Sequence, residues 1–528
     1  FSKFMVSVGQ WWLTGAWVLE RLDIRKLQAF YLENHRTRFY LLIVFVFFRL
    51  LFEGIGRGFR EFFRNKPAMI FSSIFILHIA GLIVTADFQY ALKDLRTKVP
   101  LFILPIFLST SETIRRKDFH RYMFLFVLAL FTGTLFNTWK IINHEYIDLR
   151  EVARHVGYIV YSLLVCVGIF ISGYLVFKRG TLPISFKILL AIIMAWLVLY
   201  LFITKSFTGV AIIILTLLIM IPILVFKRKN RWLKIALLLL MVAMTGGVLF
   251  YIRAVVRDFY KVEPVDLTKL ELNTSRGNLY EHNPMLKQTE NGHYLWLYVQ
   301  WDELRGSWNS RSRIRFDSND LRGQPVKFTL IRFLTSKGER KDADAVQHLS
   351  PNDIHAIETG IANIWYMKKF SIRGRIYEFL MGYDNYRLTG NPTGSTVMQR
   401  VEFWKASIGL IRENWLYGVG TGDMNVAFRQ QYDRMDTKLA LDQRWRSHNQ
   451  FMSICIAFGV FGLAWFLFAT LYPAFATRRF DDYFFLTFLI ITFTAMLTDD
   501  TIESQMGVTF FAFFYCFFLF GKREKDPV

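Results

Sequence analysis

FTGVAIIILTLLIMIPILVF, residues 207–226, is the stretch of sequence that decides the fold class of this chain. Its twenty positions hold no charged side chain, and a helix of that length rises about 30 Å, which matches the hydrocarbon core of a bilayer. An amphipathic helix of a water-soluble domain would instead carry polar residues on one face. The stretch therefore predicts a membrane-spanning helix.

Apolar runs of similar length recur along the whole chain, in which 53% of residues are hydrophobic and 17% aromatic. This composition predicts an all-α polytopic membrane protein with about twelve transmembrane helices, of which the first, second and fourth are short. The predicted spans lie near residues 4–19, 39–54, 68–85, 99–111, 121–141, 156–177, 185–204, 207–226, 233–252, 449–472, 483–498 and 505–520.

The net charge of +22 fits a membrane protein better than a nucleic-acid-binding protein. Much of the basic excess lies in short connections between apolar runs, as expected for cytoplasmic loops. This places both termini in the cytoplasm. The basic connection at 21–38 conflicts with that topology, so an alternative is that the first segment lies in the membrane interface, leaving eleven spans. The stretch before Glu20 has no signal-peptide cleavage pattern and is interpreted as a short first span.

The topology divides the chain into three regions: nine N-terminal spans at 1–252, a large loop outside the cytoplasm at 253–448, and three C-terminal spans at 449–528. We expect the loop to be mixed α/β. Its candidate strands are residues 294–299 and 326–331, bounded by turn sequences. Its candidate helices are one that starts at 350–353 and one at 397–412. The three cysteines all fall in apolar runs, so no disulfide framework is expected.

Arg400 interrupts the apolar face of the predicted 397–412 helix, which also carries Trp404. One interpretation is snorkelling, in which the arginine stem covers apolar surface and the guanidinium reaches water. The other is a binding fork for phosphate oxygens, which suits the planar and permanently charged guanidinium.

A glycine-rich turn, GVGTGD at 418–423, follows that helix directly. Backbone amides of such a turn could bind an anion at a helix start. However, the turn follows no strand and has no Walker lysine, so neither nucleotide-binding fingerprint fits. We favour a tight turn in which Asp423 caps the next helix.

His448 lies in a polar segment, RWRSHNQ at 444–450, where a predicted span meets water. The arginines before it favour the neutral imidazole, which could act as a general base. A histidine at a helix start is also commonly a cap or an interfacial anchor. The pair Asp499-Asp500 and Glu503 lie at another outer turn, and we interpret them as shaping a cavity.

Four motifs resemble the O-antigen ligase and polymerase family of integral-membrane glycosyltransferases, and in particular its ligase-type members. They are RVEFWKA at 400–406, NWLYGVG at 414–420, HNQF at 448–451 with FGVFGL at 458–463, and TDDTIESQ at 498–505. The first three occur in the family's order, and the arrangement of spans also agrees.

The resemblance implies a GT-C-like fold in the bacterial inner membrane, with the active site facing the periplasm. It implies the inverting transfer of a glycan from undecaprenyl diphosphate to a hydroxyl of the lipid A-core oligosaccharide, with no cofactor and no metal. On the matching residues, Arg400 would hold the diphosphate, His448 would activate the acceptor hydroxyl, and Asn449 would orient the imidazole. Trp404, Asp423 and Glu503 would have supporting roles, and Arg446 would add positive charge near the diphosphate.

One departure from the family concerns a second cation. Many members carry an arginine after a serine at the outer end of the seventh span, where this chain has Phe207 after Ser206. We expect Lys205 to supply this charge, as a point cation instead of a fork. Arg276 in the loop is the alternative.

Three other functions stay open. A polymerase of the same family would transfer the same donor glycan to another lipid-linked repeat, and a protein O-oligosaccharyltransferase would use a serine or threonine acceptor. A secondary transporter would show repeated halves and ionisable residues near the bilayer midplane. In this sequence the polar residues cluster at the outer face, beside one large loop.

Overall fold

A computed structural model describes residues 55–111, 114–143, 152, 157–178, 182–204, 206–227, 229–368 and 371–521. Contacts divide the chain into two compact units, one formed by residues 1–229 together with 400–528 and the other by 230–399. The first two predicted spans and Lys205 lie outside the described residues. The helices are α1 (Ile55–Arg64), α2 (Lys66–Ala80), α3 (Phe88–Lys98), α4 (Pro100–Ser109), α5 (Arg116–Asn143), α6 (Tyr158–Phe177), α7 (Ile184–Ile203), α8 (Phe207–Phe226), α9 (Arg231–Tyr260), α10 (Trp301–Arg311), α11 (Val326–Ser336), α12 (Ala343–Gln347), α13 (Pro351–Glu358), α14 (Ile364–Met367), α15 (Ile372–Thr389), α16 (Thr396–Glu413), α17 (Met424–Arg434), α18 (Gln450–Ala476), α19 (Tyr483–Met496) and α20 (Gln505–Leu519).

Seven helical segments in the described residues are long and apolar enough to cross a membrane: α2 with the turn that follows it, α5, α6, α7, α8, α9 and α18. Two shorter helices, α19 and α20, are also apolar. The described residues are therefore mostly helical and include several helices long and apolar enough to cross a membrane, which is compatible with the predicted polytopic membrane protein. The total of twelve spans, the three-region division and the side of the membrane on which the loop lies remain predictions.

Aromatic rings fill the interior of the first unit, where α18 packs on α2 and α20 packs on α4. Phe71 of α2 stacks on Tyr515 of α20 with the ring centroids 4.0 Å apart, and Phe488 of α19 packs between rings of α20. Lipid is as apolar as these side chains, so close packing rather than exclusion of water stabilises such an interior.

The helix α18 is broken at Gly459, whose backbone has φ 67° and ψ −172°. Only glycine adopts this conformation without a large strain. The break leaves backbone groups unbonded, and the glycine-rich segment 415–420 supplies their partners. Val419 and Gly420 donate to the carbonyls of Ile456 and Ala457, each at 2.9 Å. The GVGTGD segment is therefore a turn that packs into a broken apolar helix, which keeps the backbone there hydrogen-bonded.

The β-rich half expected for the loop is not formed, so that prediction is wrong: residues 261–300 are mostly turns and irregular chain, and helices α10 to α13 follow. Residues 326–331 form the first part of α11, and the strands are β1 (Thr289–Glu290) and β2 (His293–Tyr294), two residues each. Side chains at the helical spacing of Val326, Leu330 and Leu334 are all buried, and this packing overrides the β propensity of the sequence.

The predicted helices of the loop are confirmed. Ser350 and Asp353 form a capping box at the start of α13, and α16 covers the predicted 397–412 helix.

Candidate functional site

His448 lies in the turn immediately before α18, and its backbone has a positive φ of 47°. This conformation is uncommon for a residue with a side chain and is retained only where the surroundings hold it. The side chain of Asn449 caps α18 by accepting from the Met452 N–H at 3.1 Å. Its amide nitrogen donates to the Leu497 carbonyl at 3.0 Å. The expected contact between Asn449 and the imidazole is not formed, because both the oxygen and the nitrogen of the Asn449 side chain already have these hydrogen-bond partners.

Asp500 holds the turn in place. Its carboxylate accepts from the backbone N–H groups of His448 and Asn449, both at 3.1 Å. It also accepts from the hydroxyls of Ser447 at 3.1 Å and Ser453 at 2.8 Å. Four donors on one carboxylate offset part of the cost of its burial and hold the turn that carries the imidazole.

The imidazole of His448 faces a second carboxyl group. Its Nδ1 lies 4.0 Å from Oδ1 of Asp499, and 32% of its side chain is exposed. Burial lowers the pKa of His448; the Asp500 charge opposes this shift and the Arg400 charge adds to it. Burial and the neighbouring Asp500 raise the pKa of Asp499 to about 7, against the effect of Arg400. Near neutral pH this site therefore contains a neutral imidazole beside a carboxyl group that is half ionised.

Arg400 of α16 is electrostatically coupled to both groups, since its charge lowers the pKa of His448 and of Asp499. Within the described parts of the chain, its guanidinium has no hydrogen-bond or ion-pair partner. One turn further along α16, the indole N–H of Trp404 is buried and has no partner among the described residues. The face of α16 next to the imidazole thus carries unused donors, one of them permanently charged.

Arg446, by contrast, is paired within the protein. Its Nη1 lies 3.4 Å from Glu503 and its Nε donates to Asn425 at 2.9 Å. Its remaining amino group donates to the Tyr90 hydroxyl. These partners occupy the donors that the sequence analysis assigned to a diphosphate. Arg446 therefore ties the turn of His448 to α3 and α17.

A buried lysine that the sequence analysis missed completes this connection. Lys98 of α3 has no exposed surface, and its Nζ lies 3.0 Å from Glu503 and 3.2 Å from Asp94. It also donates to the Ile502 carbonyl at 2.8 Å. The Lys98 charge, with that of Arg446, offsets the effect of burial and keeps the pKa of Glu503 below its ordinary value. Glu503 is thus an ionised anchor and not a free cavity residue.

Two links join this anchor to the turn of His448. Oε1 of Glu503 accepts from Nε2 of the Gln450 side chain at 3.0 Å, and Oε1 of the same side chain accepts from the Ile502 N–H at 2.8 Å. On the other side, Nδ1 of His78 lies 3.3 Å from Asp94. Nothing in the sequence spacing relates His78, Asp94 and Lys98 to residues some 400 positions away, so only the fold could reveal the cluster.

The predicted role of Asp423 as the cap of its own helix is wrong. Its carboxylate makes no bond to the start of α17 and accepts instead from the backbone N–H groups of Ala86 and Asp87, both at 2.7 Å. Arg276 lies in the 230–399 unit, where its guanidinium is 3.9 Å from Asp344. The second predicted cation, Lys205, is not among the described residues.

Comparison with protein families shows that residues 356–467 match the family described as O-antigen ligase. The match agrees with the family that the sequence motifs resemble. The matched region contains Arg400, Trp404 and His448, whereas Asp499 and Asp500 lie beyond it. Comparison with curated proteins finds no match to the sequence.

Proposed function

We propose that this chain is an O-antigen ligase that transfers a glycan from undecaprenyl diphosphate to a hydroxyl of the lipid A-core oligosaccharide. The observation that carries the proposal is the arrangement around His448. A neutral, partly exposed imidazole lies beside the Asp499 carboxyl group, and Arg400, which has no partner among the residues that the structure describes, is coupled to both. This supplies a base for an acceptor and a cation for an anionic leaving group.

The proposed reaction is a single displacement with inversion. The acceptor hydroxyl oxygen bonds to the anomeric carbon of the donor sugar while the bond from that carbon to the diphosphate oxygen breaks. The hydroxyl proton moves to the free ring nitrogen of His448, a transfer that typically contributes about 10²–10⁴-fold in rate. Asp499, on the Nδ1 side, stabilises the imidazolium that forms. The 4.0 Å separation exceeds a hydrogen bond and would shorten when substrate excludes water.

Arg400 would hold the diphosphate, which leaves with the electron pair of the broken bond. A permanently charged guanidinium next to the leaving group stabilises this charge as it develops. Trp404, whose N–H is unused, would donate to the same group or to the sugar. Lys205 would provide the second cation. Arg276 is the weaker candidate because it already lies near Asp344.

Both substrates are anchored in the membrane, and this fits the position of the site. His448 immediately precedes α18, a helix able to cross a bilayer, so the acceptor hydroxyl and the donor diphosphate can meet at its boundary by lateral diffusion. We propose that this boundary is the periplasmic face of the bacterial inner membrane. Neither a metal nor a nucleotide takes part in the proposed reaction.

Deleting the gene and examining both lipopolysaccharide and the lipid-linked pool tests the proposal. A ligase predicts long polymers that accumulate on undecaprenyl diphosphate and a bare lipid A core. A core that carries single repeats would identify a polymerase instead. Unchanged lipopolysaccharide together with lost glycoproteins would identify a protein O-oligosaccharyltransferase.

A further inference from the structure

The helix α15 carries an apolar stripe that is separate from its buried face. Ile372, Ile376, Phe379 and Tyr383 are spaced i, i+4, i+7 and i+11, so they share an arc of about 60°. Their exposure is high: 67% for Ile372, 42% for Phe379 and 43% for Tyr383. An apolar stripe of this length on a helix surface requires an apolar environment to cover it.

The position of α15 on α9 indicates what that environment is. Arg373 pairs with Asp258 at 3.3 Å, and Asp384 accepts from the Tyr260 hydroxyl at 3.0 Å. On α15 the two contacting residues, Arg373 and Asp384, are eleven positions apart, which is about 16 Å along the helix. Their partners on α9 are only two positions apart, which is about 3 Å. The helix α15 therefore lies across the end of α9. Since α9 is a membrane-crossing helix, α15 runs along the membrane surface.

The height of α15 above the hydrocarbon core follows from the sequence of α9. The apolar part of α9 ends at Ile252, and exposed Arg253 and Arg257 follow it. Asp258 is six residues beyond Ile252, or about 9 Å along the helix. A helix with its side chains has a radius of about 5 Å. Subtracting this radius from about 9 Å places the near side of α15 about 4 Å from the hydrocarbon core. This position is inside the headgroup layer, which is about 5–8 Å thick.

The surroundings of α15 have the composition of a membrane interface. Lys368 lies over the ring of Trp365 at 4.4 Å, and Arg373 lies over the same ring at 4.5 Å. Tryptophan and tyrosine are enriched at the headgroup level, and basic side chains there contact anionic lipid phosphates. A tryptophan ring flanked by basic side chains therefore lies beside α15, as at the headgroup level of a phospholipid surface.

We propose that α15 is an interfacial helix whose stripe at Ile372, Ile376, Phe379 and Tyr383 is inserted at the boundary between lipid headgroups and acyl chains. Its occupant is the bilayer itself, on the side where α9 ends. This gives the 230–399 unit a second attachment to the membrane, besides α9. The inference rests on the geometry of this unit and does not depend on the chemistry proposed for His448.

Spin labels on single added cysteines test the proposal in the full chain in phospholipid nanodiscs. The native cysteines Cys166, Cys455 and Cys516 are buried, and the parent chain measures any labelling of them. Labels at Ile372→Cys, Phe379→Cys and Tyr383→Cys report on the stripe. The matched control is Leu388→Cys, which is 66% exposed on another face of the same helix.

Collision rates with oxygen, which concentrates in lipid, and with a water-soluble nickel chelate give the depth of each label. We expect the ratio of oxygen to nickel accessibility to be several-fold higher at the three stripe positions than at Leu388. Nickel accessibility equal to that of Leu388 would place the stripe in water. Low accessibility to both reagents would mean that protein covers it. Either result overturns the proposal.

Discussion

Replacing Lys98 with methionine removes the buried charge that anchors the turn of His448. Its Nζ bonds Glu503 and Asp94 at 3.0 and 3.2 Å, and it has no exposed surface. Leaving a buried carboxylate without its partner typically costs about 3–5 kcal/mol. Because Glu503 is linked to the turn through Gln450, we expect the imidazole to lose its position, and a shift of about 1 Å can lower kcat on the order of 10²-fold.

The change should also shift the pH dependence of transfer. The Glu503 charge already raises the pKa of Asp500, which contacts the turn of His448. Without Lys98 the negative charge of Glu503 is less compensated. The pKa values of the neighbouring carboxyl groups and of the His448 imidazole should therefore rise. For a separation on the order of 10 Å and an effective dielectric constant of about 20, one uncompensated charge is worth about 1.7 kcal/mol, or roughly one pKa unit. The acid limb of the rate profile should therefore move upward by about one unit.

The assay is transfer by the purified full chain in nanodiscs, with kcat and KM measured between about pH 5 and 9. Lys98→Met is compared with the double variant that adds Glu503→Gln, which removes both charges and should return the acid limb to its original pH. Lys227→Met is the matched control, because its ion pair with Asp481 at 2.8 Å is exposed and should contribute little. An unchanged pH profile in Lys98→Met, with only a smaller active fraction, would refute the electrostatic role.

Three further changes have expected outcomes. Asp499→Asn should lower kcat and remove the fall in rate below about pH 7, because the carboxyl group that titrates there is gone; an unchanged pH profile would mean that Asp499 does not control it. Asp423→Ala should lower the free energy of unfolding by about 2 kcal/mol through two lost charge-assisted hydrogen bonds, measured by thermal unfolding in detergent. Gly459→Ala should destabilise the fold by about 3 kcal/mol, since the new Cβ would lie 2.1 Å from a backbone oxygen, whereas Gly246→Ala meets open space and should be neutral.

The sequence was sufficient for the fold class and for the residues that lie near one another along the chain. Apolar runs identify membrane helices because a bilayer requires about twenty apolar residues in succession. Motif order identified Arg400 and His448. The same approach failed at residues 326–331, where β-branched and aromatic residues suggested a strand but helical burial of Val326 and Leu330 prevailed.

The partners of the site could not be predicted, because they come from distant parts of the chain. A sequence pattern shows where a charged residue lies along the chain, but it does not show which oppositely charged residue the fold places beside it. Arg446 and Arg400 both lie in or beside the motifs of this sequence. Within the described part of the chain Arg446 is paired with Glu503 and Tyr90, whereas the Arg400 guanidinium has no partner there. This difference makes Arg446 a structural residue and Arg400 a candidate phosphate ligand. It depends on contacts between residues that are hundreds of positions apart in the sequence.

The most direct test of the central claim is single-turnover transfer by the purified chain in nanodiscs, with undecaprenyl diphosphate-linked glycan as donor and lipid A-core as acceptor. We expect His448→Ala to bind donor as the parent does but to release undecaprenyl diphosphate and form ligated product at least about 10²-fold more slowly. Arg400→Ala should instead weaken donor binding. A His448→Ala variant that transfers glycan at the parent rate would contradict the assignment of His448 as the acceptor base.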